Sequence, residues 1–225
     1  FDTTLRDGGQ TRGVDFSRAD KLAIAHALDD IGIDYVEGGW PGANPTDDAF
    51  FANPPVLKRA KLFAFGMTRR GGRSTANDPG LNAVIDAAVD GACLVGKTWD
   101  FHVKTALNTT LEENLEMIRD SLAATKQRGR EPMFDCEHFF DGYKNNPEFA
   151  LDCVRAAHAG GASWVVLCDT NGGTLPDVVF EIVQTVKTTL PEVNLGIHCH
   201  NDSGVALANS LAAIAAGARQ VQCTI

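Results

Sequence analysis

The sequence predicts an α/β fold, a TIM (β/α)8 barrel that stops before its last helix. Three observations lead there. Eight short β-rich runs alternate with seven longer stretches of helical period, the pattern of parallel strands wrapped by helices. The alternation repeats every ~25–30 residues, and a complete barrel of that repeat runs to about 250 residues, more than the 225 present. No GxGxxG follows a strand, since Gly8-Gly9 and Gly38-Gly39 lack that spacing. A doubly wound open sheet gives the same alternation and is the alternative architecture.

In chain order the strands are Phe1 to Leu5, Tyr35 to Gly38, Leu62 to Met67, Ala92 to Gly96, Met133 to Glu137, Trp164 to Cys168, Leu195 to His200 and Val221 to Ile225. The helices fall near 17–31, 46–60, 79–89, 110–128, 147–159, 176–189 and 203–216, where apolar residues recur three and four apart. Their ends carry local signals. Ser17 caps the first helix, Thr110-Leu111-Glu112-Glu113 reads as a capping box, and Pro147 and Pro176 occupy first-turn positions. Gly32, Gly129, Gly160 and Gly217 stand where helices stop. No internal repeat, charge run or Pro-rich linker divides the chain, so residues 1–225 read as one incomplete barrel domain.

Composition narrows the function. The chain is 44% hydrophobic and 22% charged, an ordinary globular mixture. Twenty Lys and Arg against 29 Asp and Glu leave a net charge of −9, which provides no basic field for nucleic acid or an anionic membrane. The longest apolar runs, such as Val165 to Cys168 and Leu211 to Ala216, fall far short of the ~20 residues that span a bilayer. Phe1 is followed at once by the polar Asp2-Thr3-Thr4, so no secretory signal is visible, and the absent start methionine suggests missing upstream residues. The cysteines Cys93, Cys136, Cys153, Cys168, Cys199 and Cys223 form no CxxC pair and lie in mostly apolar surroundings. They read as reduced thiols of a cytoplasmic protein, with disulfides as the alternative.

In a barrel, reactive groups gather at the carboxyl ends of strands. Unusual polar residues accumulate there: Arg6-Asp7, Glu37, Glu137-His138, Asp169-Thr170-Asn171 and His198-Cys199-His200-Asn201-Asp202. His198 and His200, two apart on a strand, place two imidazoles toward one metal ion, while Cys199 points to the helix layer. Asp7, on the strand next but one around a closed barrel, adds a carboxylate. Two nitrogens and one oxygen suit Mn, Zn, Fe or Co, with Mg less favoured by ligand type. The alternative is a pair of partly solvated histidines at a strand end. Arg6 and Glu37 form either a catalytic pair, its guanidinium aimed at an oxyanion beside the metal, or a structural ion pair closing the rim. Thr170 either donates its hydroxyl to a substrate carboxylate or makes an ST-turn. Glu137, two after Asp135 and facing the same way, either binds near the site or solvates the rim. His102 and His138 read as polar loop residues.

Asp2-Thr3-Thr4-Leu5-Arg6-Asp7-Gly8-Gly9-Gln10, with the His198 to Asp202 run, resembles the DRE-TIM metallolyase superfamily, in particular its 2-isopropylmalate, homocitrate and citramalate synthases. The resemblance covers the whole chain. The runs Glu37 to Pro45, Gly96 to Asp100, Glu137 to Tyr143 and Cys168 to Gly173 look like the citramalate synthase branch. This implies an acyltransferase that condenses acetyl-CoA with a small 2-oxo acid, with pyruvate giving (R)-citramalate, in isoleucine biosynthesis. On this resemblance Arg6, Glu37 and Glu137 are catalytic. Arg6, Thr170 and Glu137 contact the 2-oxo acid, and Asp7, His198 and His200 hold a divalent metal ion (Mn, Zn, Mg or Co). The resemblance also implies an Asn ligand just past the last strand, a last barrel helix, and a carboxyl-terminal region with a catalytic His, homodimer contacts and feedback control, all beyond Ile225. Cys199 departs from the family, where relatives often carry Thr. The alternatives are a larger 2-oxo acid, as in 2-isopropylmalate or homocitrate synthase, a C–C cleavage of the HMG-CoA lyase type, and a non-catalytic metal-binding barrel.

Overall fold

A computed structural model describes all 225 residues. Its strands are β1 (Tyr35–Glu37), β2 (Lys61–Met67), β3 (Gly91–Lys97), β4 (Glu131–Glu137), β5 (Trp164–Asp169), β6 (Leu195–Cys199) and β7 (Gln220–Gln222). They pair in sequence order and every pair is parallel. A doubly wound sheet reverses its strand order at a switch point. No reversal is present, so the open-sheet alternative is excluded.

The first expected strand, Phe1 to Leu5, is instead a single-residue bridge. Asp2 pairs with Val36 on one side and with Cys223 on the other. The Asp2 N–H donates to Tyr35 O at 2.8 Å and the Thr3 N–H to Cys223 O at 2.8 Å. These bonds join the two outer strands and curl the sheet into a barrel. Extended backbone ends after Thr3 because its carbonyl then accepts from the N–H groups of Arg6, Asp7 and Gly8, which winds the chain into a turn.

The helices are α1 (Arg18–Asp30), α2 (Pro45–Ala52), α3 (Pro79–Ile85), α4 (Asp100–Thr105), α5 (Leu111–Gln127), α6 (Phe139–Asn145), α7 (Pro147–Ala159), α8 (Pro176–Thr189) and α9 (Ala206–Ala216). Ser17 caps α1 in a reciprocal box with Asp20, and Thr110 accepts from the Glu113 N–H at the start of α5. The helix expected over 46–60 stops at Ala52, because the pair Pro54-Pro55 removes the N–H groups that would continue it. The short helices α4 and α6 were not expected. They have six and seven residues, and neither carries the Pro that marks the first turn of the equally short α3.

Strand residues alternate between two cores. Along β2, Leu62 and Ala64 face the helices, whereas Phe65 and Met67 line the barrel mouth. Phe63, Cys93 and Met133 fill the interior toward the amino ends of the strands, with Phe1, Tyr35 and Trp164 packed against them. All six cysteines are free thiols. No helix is long and apolar enough to cross a membrane.

Candidate metal centre

The turn around the Thr3 carbonyl sets Arg6 and Asp7 at the barrel mouth, where a straight strand would point them to opposite sides. Asp7 Oδ2 lies 3.1 Å from His198 Nε2 and 3.7 Å from His200 Nε2. One ligand atom from each of the three residues lies within 4.8 Å of the others. His198 near the end of β6 and His200 just beyond it share one face, with ring centroids 5.1 Å apart, and Cys199 between them packs against the outer core. One carboxylate oxygen and two imidazole nitrogens with open space beside them form a donor set that fits a divalent cation.

The three groups are shifted by one another and by burial. Burial pushes the Asp7 carboxyl up, but the His198 hydrogen bond and the charges of Arg6, His198 and His200 outweigh it and hold the group at about 2. Burial lowers His200, and the neighbouring His198 lowers it further, so its imidazole favours the neutral form that ligates metals. For His198 burial acts downward too, yet the Asp7 hydrogen bond and the Asp135 charge leave it raised.

Arg6 belongs to the same cluster. Its Nε donates to Glu37 Oε2, its Nη1 reaches Asp7 Oδ1 at 3.4 Å, and its Cζ sits 3.9 Å from the Phe65 ring centroid. Nη2 makes no hydrogen bond within the protein. Glu37 is fully buried, and its Oε1 has no partner. Burial lifts Glu37 to about 7 against the pull of Arg6.

A cavity of ≈ 690 Å³ opens above these groups, lined among others by Arg6, Asp7, Glu137, Thr170, His198 and His200. Each candidate site residue faces it except Glu37, which lies behind Arg6. Glu137 forms an ion pair with Lys97 across the β3–β4 register. Thr170 makes no local turn through its hydroxyl. Its Oγ1 accepts from the His138 N–H at 2.8 Å and keeps its own proton to donate. One wall is the loop from Gly38 to Asn44, held because Asp47 pairs with Lys21 and accepts from the Trp40 N–H at 2.8 Å. Gly39 is required in that loop. Its φ is +141°, and a Cβ there would lie 2.6 Å from the Asp47 carboxylate.

His102 and His138 lie outside the cavity lining. Their ring centroids are 4.5 Å apart in an edge-on contact. His102 sits on α4, a helix where a loop was expected. Three residues carrying no role in the sequence reading take part: Lys97, Asp135 and Gln222. Lys97 and Asp135 fall on the inward parity of Val95 and Glu137, a signal readable from strand alternation. Gln222 shows no such signal until β7 is placed in register with His198.

The profile of the HMGL-like family matches residues 1–225. An (R)-citramalate synthase of Aquifex aeolicus is 56% identical over 227 residues, covering 100% of this chain and 43% of that protein. A 2-isopropylmalate synthase of Bradyrhizobium sp. is 34% identical over 229 residues, covering 100% of this chain and 42% of that protein. The chain therefore spans less than half the length of these relatives. Among solved structures, the HMG-CoA lyase of Bacillus subtilis superposes with a TM-score of 0.82 at 19% identity, covering 99% of this chain and 75% of that one, and so shares its barrel fold.

Proposed function

Because the chain belongs to the HMGL-like family, we propose that it is the barrel of an acyltransferase that condenses acetyl-CoA with pyruvate to give (R)-citramalate and free coenzyme A. The observation that carries this reading is the 56% identity to a citramalate synthase across the whole chain, against 34% to a 2-isopropylmalate synthase. Residues 1–225 are then the catalytic barrel of a longer, homodimeric protein. Six free thiols agree with a cytoplasmic location.

Asp7, His198 and His200 hold the divalent cation, with Mn, Zn or Co better matched than Mg to two nitrogens and one oxygen. Bound there, a cation would supply Lewis acidity to the 2-oxo acid. Arg6 keeps its charge through Glu37 and Asp7, and its unpaired Nη2 is the donor available to the oxyanion that develops on the keto oxygen. Thr170 donates its free hydroxyl proton to the substrate carboxylate. Glu137, tied to Lys97, contacts the 2-oxo acid from the β4 side. A base takes a proton from the acetyl methyl group, the resulting carbon bonds to the keto carbon as the C=O π pair moves onto oxygen and takes up a proton, and water cleaves the thioester C–S bond to leave a carboxylate and free coenzyme A.

The test is coenzyme A release by the full-length protein with acetyl-CoA and pyruvate, 3-methyl-2-oxobutanoate or 2-oxoglutarate, beside cleavage of hydroxymethylglutaryl-CoA. Pyruvate is expected to lead in kcat/KM by at least ~10-fold, the scale one or two methylenes can set in a pocket. A preference for a larger 2-oxo acid overturns the substrate. Acetoacetate from hydroxymethylglutaryl-CoA, without condensation, overturns the reaction class.

A further inference from the structure

Beneath the metal ligands a polar chain crosses the barrel interior. Gln222 on β7 pairs in register with His198 on β6, so their side chains stand side by side. His198 Nδ1 lies 3.0 Å from Gln222 Oε1. The other end of the amide, Nε2, donates to Asp135 Oδ1 at 2.9 Å. Asp135 is on β4, which is not a neighbour of β7 in the sheet, so this bond spans the interior. Gln222, Asp135 and His198 are all buried, at 2%, 3% and 7% exposure.

The donor and acceptor accounting leaves one arrangement. Asp135 Oδ1 also receives the Cys93 thiol at 3.2 Å. The thiol has one proton, so when it lies on Oδ1 the Cys93 sulfur, 3.7 Å from the same end of the amide, is left as an acceptor beside the carboxylate, and two acceptors there turn the N–H end of the amide toward them. Its oxygen then faces His198. An amide oxygen only accepts, which requires the proton on Nδ1 and leaves Nε2 as the nitrogen facing Asp7. A metal-bound imidazole needs this arrangement, one nitrogen donating to a fixed partner and the other presenting its lone pair.

We infer that Gln222, oriented by Asp135, is a positioning residue that fixes the ring and tautomer of His198 for metal binding through Nε2. The inference rests on the metal reading of Asp7, His198 and His200. Asp135 acts at one remove: it orients an amide, and the amide orients the ligand. The amide carries this orientation across the barrel without placing a second full charge against the imidazole.

Neutron diffraction of zinc-loaded, deuterium-exchanged crystals of the full-length protein tests this without any variant. The expected result is a deuteron on His198 Nδ1 directed at Gln222 Oε1, with zinc on Nε2. A deuteron on Nε2, or the Gln222 amide nitrogen facing His198, overturns the inference. Chelator competition then gives the zinc affinity of variants. Gln222→Leu is expected to weaken zinc binding by about 10- to 100-fold, the usual effect of losing a partner behind a metal ligand. Gln222→Glu keeps an acceptor for Nδ1 and shares a proton with Asp135, and is expected to restore affinity to within a few-fold. A Gln222→Leu protein that folds and binds zinc as tightly as the wild type overturns the inference alone. A wild type that takes up no zinc overturns the metal centre itself and the inference with it.

Discussion

The two ends of the barrel interior are built from the same strands and spend their polar groups differently. Toward the amino ends, Phe63, Cys93 and Met133 form an apolar plug, whose Cys93 thiol reaches Asp135 Oδ1 at 3.2 Å. Gly91 makes room for it, since a Cβ there would meet the Phe63 ring and lie 2.6 Å from Glu131 O. Outside the interior at that end, Asp29 on α1 serves the backbone, accepting from the N–H groups of Lys58, Arg59 and Ala60 at 2.7–2.9 Å. Toward the carboxyl ends, Glu37 keeps an oxygen without a partner, and Asp7 is shared among Arg6, His198 and His200. The satisfied Asp29 contributes stability, while Gln220 at the start of β7 keeps a buried Oε1 without a partner. At the mouth one buried carboxylate oxygen lacks a partner, and the Asp7, His198 and His200 ligand atoms cluster beside a cavity.

The sharpest way to break this contrast is to remove a ligand. His198→Ala or Asp7→Ala is expected to abolish stoichiometric binding of zinc or manganese, measured by elemental analysis after gel filtration. Retention of one metal per chain would move the centre elsewhere.

Next in size is the plug. Phe63 is fully buried, and Phe63→Ala should cost about 3–5 kcal/mol in denaturant unfolding, the range for emptying a buried aromatic site. Metal affinity measured on the folded variant should stay within a few-fold of wild type. A parallel loss of metal would mean that the two ends act as one unit.

Arg6→Lys sharpens the division within the mouth. Lysine keeps the charge but loses the planar fork that reaches Glu37 and Asp7 together. Turnover is expected to fall by at least ~100-fold, the scale of a lost oxyanion donor, with metal affinity changed only a few-fold. Equal loss of both would make the pair a structural bridge of the rim.

The smallest effect belongs to the amino end. Hydrogen bonds from Ala60 and Lys58 hold Asp29 below the usual carboxylate range. A carboxylate depressed in the folded state contributes stability that is present above its unfolded value and is lost as pH falls through the folded one. Asp29→Asn should therefore lower the melting temperature by a few degrees at neutral pH, with the gap to wild type closing under acid conditions. A gap that stays constant down to about pH 2 would show that the carboxylate charge plays no part.

Much of this molecule is local and was legible in the residues. The β/α alternation, the Ser17 and Thr110 caps, and the common facing of His198 and His200 follow from periods of two and 3.6 residues and from unsatisfied helix ends. The facing of Cys199 away from the cavity follows from the same parity. Tertiary structure decided the remainder. Asp2 closes the barrel against Val36 and Cys223, strands at opposite ends of the chain. The turn around Thr3 O ends the first strand early and brings Arg6 and Asp7 to one cluster where strand parity would separate them. Lys97 meets Glu137, and Asp135 reaches Gln222, only because register and curvature set β3 beside β4 and β4 across from β7. Periodicity reports which way a side chain faces along its own strand. Which distant side chain it faces depends on how the strands are staggered and how the sheet closes, and those are properties of the assembled barrel.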